Sequence, residues 1–299
     1  MSASPVQLDV LCIGHASYDL VFSVNSHPGP DEKTVADKLL GCGGGPAANA
    51  AVMVSRLGCK AGFAGYLGND SFGTSHLQEL QHYNVDTRLV VRGPAATPLS
   101  TVLVKPDGKR SLINYKEVIA LSPDCLDFTQ VQAKVILCDG HEGPLSLTLL
   151  NSPAQQNTPS VLDAGSLHEG TRLLMERVDY LVCSEKFACQ YSGTVDLALT
   201  ELAALSPVVV ITLGEHGLIW RRGTEQGKLA APPVTAVDST GAGDAFHGAF
   251  AAGLAAELAW PELLRYASAA GGLCCQQLGA RTGLPDQTQV LNLLRQWVL

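Results

Sequence analysis

Val237-Asp238-Ser239-Thr240-Gly241-Ala242-Gly243-Asp244-Ala245-Phe246-His247-Gly248 is the stretch from which the rest of the chain can be read. Small and polar residues mark the junction between a strand-like segment and a long, alanine-rich helix. A Gly-Ala-Gly turn that opens a helix leaves several backbone N–H groups unpaired and pointing the same way. The side chains there are too small to block an approaching anion, and the helix dipole adds partial positive charge. Such a turn cradles phosphate oxygens and the charge that develops when a phosphoryl group moves. Asp244 follows in the first helical turn, where an acid stabilises any helix. A carboxylate inside an anion-binding turn is costly unless it has work there. Beside a transferring phosphoryl group it accepts the proton of an attacking hydroxyl.

A second glycine-rich stretch, Gly43-Gly44-Gly45-Pro46-Ala47-Ala48-Asn49-Ala50-Ala51, sits at another strand-to-helix junction. Its glycines are expected to let a polar ligand approach the backbone. Asn49, in the first turn, offers a donor and an acceptor to a hydroxyl-rich molecule.

Both stretches lie in an alternation of short apolar runs and longer helical patterns. Residues 10–13, 61–64, 135–138, 160–162, 180–183 and 208–212 read as buried parallel strands. Residues 45–57, 71–83, 144–150, 170–177, 195–204, 244–255, 260–277 and 288–297 read as helices. The alternation predicts a mostly parallel sheet covered by helices on both faces. Two excursions interrupt it. Residues 21–24 and 34–40 flank a Pro/Gly/Asp-rich turn, and residues 99–105 and 110–115 flank Pro106-Asp107-Gly108-Lys109, a hairpin signal. Together they predict a small antiparallel lid, at about 21–40 and 99–115, on a single domain spanning 1–299.

Bulk composition narrows the function classes. The chain has 299 residues, 46 % hydrophobic and 16 % charged, which predicts a large core. A net charge of −8 argues against a nucleic-acid partner, which calls for a basic surface. Nine cysteines, an odd number without metal-like spacing, predict free thiols in a reducing cytoplasm. The N-terminal residues lack a signal-peptide pattern, and the apolar stretches are too short to span a membrane.

Taken together, the two glycine-rich stretches resemble both signatures of the ribokinase-like (PfkB-type) carbohydrate kinases. Gly44, Gly45, Ala47, Asn49 and Ala51, then Gly58 and Gly68, follow one pattern; residues 238–251, with the GAGD core, follow the other. The resemblance covers nearly the whole chain. It implies a three-layer α/β/α sandwich with a small β lid, and an ATP-dependent kinase acting on a sugar hydroxyl with Mg²⁺. Asp244 resembles the catalytic base, and Gly241, Ala242 and Gly243 the anion hole. Asp19, Gly44, Gly45 and Asn49 resemble the substrate contacts. Thr212, Gly214 and Gly217 resemble the nucleotide loop. Asp238 and Thr240 resemble ligands of a monovalent cation in members that use K⁺. The resemblance also implies a cytoplasmic enzyme, and the otherwise exposed lid edges predict a homodimer through the lid.

One departure concerns the metal. Where the family often carries Asn-x-x-Glu, this chain reads Cys183-Ser184-Glu185-Lys186-Phe187, so Ser184 stands for the Asn and Phe187 for the Glu. Glu185 is the remaining acidic candidate for water-mediated contact with Mg²⁺. Substrate choice is expected from Lys33, Asn114, Lys116, His15 and Asp139-Gly140-His141-Glu142. Within the family, the GGGPAA run, Ile113-Asn114-Tyr115, Ser184-Glu185 and Arg281-Thr282-Gly283-Leu284-Pro285 resemble the sulfofructose kinase branch. Lys33 and Asn114 would suit an anionic end group on a ketose. Ribose, fructose, a ketohexose phosphate and a nucleoside stay open. The rivals are a non-catalytic sugar or nucleotide sensor of the same fold and a nucleoside kinase. A P-loop and a GxGxxG after the first strand are both missing, which argues against P-loop kinases and Rossmann dehydrogenases.

Overall fold

A computed structural model of the chain describes residues 5–106, 110–117 and 121–297. Its strands are β1 (Val6–Ile13), β2 (Ser17–Ser23), β3 (Lys38–Gly44), β4 (Ala61–Gly68), β5 (Asp86–Gly93), β6 (Leu99–Val104), β7 (Arg110–Tyr115), β8 (Val131–Cys138), β9 (Ser160–Ala164), β10 (Tyr180–Ser184), β11 (Val208–Thr212), β12 (Leu218–Arg222) and β13 (Glu225–Leu229). The helices are α1 (Pro46–Arg56), α2 (Ser71–His82), α3 (Gly143–Leu150), α4 (Glu169–Leu174), α5 (Glu185–Ser192), α6 (Val195–Leu202), α7 (Ala242–Ala255), α8 (Trp260–Cys274), α9 (Ala280–Gly283) and α10 (Gln287–Gln296).

Among the described residues, nine strands form one sheet in the order β13-β12-β11-β10-β9-β8-β1-β4-β5. The run from β11 to β5 is parallel; β12 is antiparallel to β11, and β13, antiparallel to β12, again points along the run. Both faces are covered, so neighbouring residues of a central strand are buried on opposite sides. On β1, Val10 and Cys12 join the core against α1, α7 and α8, while Leu11 and Ile13 join the core against α3 to α6. This double burial is why the parallel strands read as unbroken apolar runs. The result is the expected three-layer α/β/α sandwich.

The second sheet has the order β3-β2-β6-β7. Two antiparallel pairs, β2/β3 and β6/β7, are joined through a parallel β2/β6 contact. The first pair starts and ends later in its return strand than expected, because the Pro- and charge-rich segment after β2 stays irregular as far as Asp37. Residues 107–109 of the expected Pro106–Lys109 turn lie outside the described residues.

β1 has β4 on one side and β8 on the other, so the chain order reverses beside it. A crevice at the carboxyl ends of the strands is the expected ligand site at such a reversal. The small sheet, which leaves β1 directly through His15 and Ala16, borders that crevice.

Candidate active site

A cavity of about 330 Å³ opens between the carboxyl ends of the large sheet and the small sheet. Its wall includes His15, Asp19, Gly45, Asn49, Ser100, Asn114, Lys116, His141, Thr240 and Asp244. Segments far apart in sequence converge here because the first turns of α1 and α7 pack side by side, Asn49 and Asp244 being 195 residues apart.

Asp244 sits on the first turn of α7. Burial pushes its carboxyl up from the ordinary carboxylate range, and the neighbouring Asp139 and Asp19 act the same way, against the Asn49 hydrogen bond and His247. The Asn49 amide Nδ2 donates to Asp244 Oδ2 at 2.6 Å. Gly241 caps the helix in the left-handed region at φ 78°, where a side chain would strike Ala280. The helical ladder begins with Ala245 N–H to the Gly241 carbonyl at 2.8 Å. Ala242 N–H turns back to the Ser239 carbonyl at 3.3 Å. Among the described residues the Gly243 and Asp244 amides meet no carbonyl partner, and the space where a Gly243 side chain would lie is open. Below them His247 Nδ1 lies 2.6 Å from the Gly243 carbonyl oxygen and 3.2 Å from Asp163 Oδ2.

The start of α1 is built differently. At Gly44 and Gly45 the side-chain positions are packed against the protein itself. A side chain at Gly44 would overlap the Asp19 carboxylate, and one at Gly45, held at φ 94°, would strike the His15 carbonyl. Gly45 borders the cavity; Gly44 is behind Asp19. Asp139, at the end of β8, accepts from His15 N at 2.7 Å, Ala47 N at 3.2 Å and His141 N at 2.8 Å. This buried carboxylate ties β1, β8 and α1 together and is a structural staple of the cavity wall.

Asp19 lies on β2, with Oδ1 accepting from Ser17 Oγ at 3.0 Å, and burial raises its carboxyl. Asn114, on β7, and Lys116 just beyond it border the cavity, whereas Lys33 is exposed in the irregular segment before β3 and is not brought to the wall. Burial, and then the charges of His141 and Lys116, push the His15 imidazole down to about 3, so it is neutral at pH 7. Thr212 ends β11, its hydroxyl donating to the Cys183 carbonyl at 3.3 Å, and Gly214 and Gly217 bracket the turn into β12.

The expected cation site holds a guanidinium. Arg110, from β7, bonds Asp238 Oδ1 at 3.1 Å and also the Thr240 hydroxyl. Asp238 further accepts from Thr240 N at 2.9 Å and Gly279 N at 2.8 Å. Burial alone would raise its carboxyl, but these bonds and Arg110 outweigh it and hold it below the ordinary range. A monovalent ion on these side-chain oxygens would have to displace Arg110, so they do not fit one in this arrangement. Glu185 is exposed on the first turn of α5, while Ser184 caps that helix through its hydroxyl, accepting from Phe187 N at 3.0 Å. Phe187 is fully buried in the core and offers no ligand.

The arrangement pairs unsatisfied amides with a partly buried carboxylate and a cavity of monosaccharide size that several polar side chains border. Comparison with known proteins agrees with it. The family model described as pfkB family carbohydrate kinase matches residues 7–287. Ribokinase of Lactococcus lactis is 31 % identical over 96 % of this chain and 97 % of its own. The crystal structure of a putative ribokinase from Agrobacterium tumefaciens superposes with a TM-score of 0.88 at 29 % identity, over 98 % of this chain and 99 % of that one. Arabidopsis thaliana ribokinase complexed with ribose and ATP gives a TM-score of 0.83 at 25 % identity, over 97 % and 99 %.

Proposed function

This chain belongs to the pfkB family of carbohydrate kinases and is a sugar kinase; we propose that it transfers the γ-phosphoryl group of ATP to a hydroxyl of a monosaccharide or monosaccharide derivative, with Asp244 as the general base. The observation that carries this reading is the pairing of the open Gly243 and Asp244 amides with the Asp244 carboxylate on one helical turn.

The substrate oxygen attacks the γ-phosphorus while its proton passes to Asp244. The new O–P bond forms as the bond from that phosphorus to the β–γ bridging oxygen breaks, and ADP leaves. The Gly241–Gly243 turn stabilises charge on the transferring group. Asp19 and Asn49 orient the sugar, and Thr212, Gly214 and Gly217 border the nucleotide. Among the described residues no cluster of three or more His, Cys, Asp or Glu side chains could hold a metal. Mg²⁺ would therefore be held chiefly by the nucleotide phosphates, with Glu185 in reach only through water, and would offset their negative charge. The small sheet serves as a lid that keeps water from competing as acceptor.

The cavity favours a substrate with an anionic end group. Lys116 and Asn114 border it, and Lys116 takes the part expected of Lys33. Exposed Leu39 and Ile113 on the small sheet support a homodimer through that sheet, testable by light scattering.

ADP release measured with ribose, fructose, and ketoses ending in phosphate or sulfonate tests the reading. Turnover of at least one monosaccharide is expected, highest for an anionic ketose. ATP binding without turnover of any sugar would contradict it.

A further inference from the structure

Arg281, on the short helix α9, is 2 % exposed, which is costly for a guanidinium unless it is well paired. Its pairing is incomplete. Nη1 lies 3.5 Å from Glu79 Oε1 without a hydrogen bond, and Nη2 lies 3.3 Å from His76 Nε2. Burial, and then the charge of Arg281, hold the His76 imidazole well below its usual range, so it is neutral and Nε2 accepts. The shortest of these contacts is Arg281 Nε donating to Asn49 Oδ1 at 3.1 Å. Glu79 ties this cluster to the small sheet by accepting from Gly43 N at 2.6 Å.

An asparagine amide has two orientations of nearly equal shape, distinguished only by its partners. Here the partners differ. Arg281 is donor-only and tolerates nothing but Oδ1, and a flipped amide would turn Oδ1 against the Asp244 carboxylate, two acceptors face to face. We propose that Arg281 is a positioning residue for Asp244, acting through Asn49: its Nε selects the amide orientation in which Nδ2 engages Asp244 Oδ2 and leaves Oδ1 to take the substrate proton. This rests on the reading of Asp244 as the base. The groups facing Asp244 are the Asn49 amide of α1, His247 on its own helix, Asp139 after β8, Asp19 on β2, Asp163 on β9 and Cys274 on α8. Arg281 also lowers Asp19 directly.

Steady-state kinetics of the full chain test the proposal. Arg281→Met is expected to lower kcat by about 10–100-fold, in line with misplacement of a reacting group, with KM for ATP nearly unchanged. The acid limb of the kcat profile moves to higher pH, because Asp244 loses its N–H donor. In an Asn49→Ala background the same substitution adds little further loss. A wild-type acid limb and rate in Arg281→Met, or losses that add fully in the double variant, would overturn the role. If Asp244→Asn keeps its turnover, the base reading falls independently. An inactive Asp244→Asn beside an unaltered Arg281→Met profile removes only Arg281. Should Arg281→Met fail to fold, a wild-type crystal structure at roughly 1 Å, where amide N and O are distinguished, gives the answer. Oδ1 toward Arg281 and Nδ2 toward Asp244 supports the proposal; the reverse, or a guanidinium turned away from Asn49, overturns it.

Discussion

The two glycine-rich helix starts, before α1 and at α7, look alike in sequence and do opposite things. At α1 the amides inside the first helical turn are satisfied by the protein. Pro46 has none, Ala47 N–H goes to Asp139 at 3.2 Å, and Ala48 N–H goes to the His15 carbonyl at 3.4 Å. The space beside Gly44 and Gly45 is filled by Asp19 and His15. At α7 the Gly243 and Asp244 amides have no carbonyl partner among the described residues, and the space over Gly243 is open. Glycine thus serves packing at one start and ligand access at the other. A helix N-terminus binds an anion only if the protein has not already satisfied it.

The largest effect expected from this contrast is at Asp244. Asp244→Asn should lower kcat by about 10²–10⁴-fold, the usual weight of a general base, while ATP affinity stays nearly unchanged. Near-normal turnover would remove the base role. The wild-type rate should fall as pH drops through a value above the ordinary carboxylate range, since burial raises this group. Stability carries the opposite sign. A carboxyl with a raised folded-state pKa stabilises the fold below its unfolded-state value, and that contribution is lost as pH rises through the folded-state value.

A paired substitution sharpens the contrast directly. Gly243→Val should crowd the open amides and lower kcat/KM by roughly 10²–10³-fold, the weight of a lost oxyanion donor, with Tm almost unchanged. Gly44→Ala should act chiefly on stability, with kcat near wild type and a raised KM for the sugar because the new methyl pushes Asp19. Overpacking against Asp19 costs about 1–3 kcal/mol, and each kcal/mol lowers Tm by roughly 2–4 °C. A Tm loss at Gly243 with unchanged kinetics, or a purely kinetic effect at Gly44, would break the distinction. The smallest effect is at Asp238 and Thr240. With Arg110 on both side chains, turnover should be the same in K⁺ and in tetramethylammonium buffers; several-fold stimulation by K⁺ would show that the ion displaces Arg110.

The parallel strands were legible because both faces are buried, which forces unbroken apolar runs such as Val208–Thr212. Strands β5, β12 and β13 escaped the same reading. They lie toward the edges of the sheet, where solvent admits Arg88, Arg92, Arg221 and Lys228 and breaks the apolar pattern. Helix α5 escaped because it is a single short amphipathic turn pair around Phe187. Asp244 and Asn49 stood out because local motifs carry them. Arg281 and Asp139 act through contacts 232 and 92 residues away, at Asn49 and Ala47, and no local pattern signals that. A buried arginine in a run of small residues was the available clue. Lys33 and Lys116 were indistinguishable as lysines flanking a lid segment; only the path of the chain brings Lys116 to the cavity.

A crystal structure of the enzyme with a nonhydrolysable ATP analogue and its sugar tests the central claim most directly. The account predicts a terminal phosphate oxygen within hydrogen-bonding distance of Gly243 N and a sugar hydroxyl within about 3 Å of an Asp244 oxygen, with the α1 amides still bound to Asp139 and His15. A phosphate seated on the α1 start, or an Asp244 carboxylate turned away from the sugar, would contradict it.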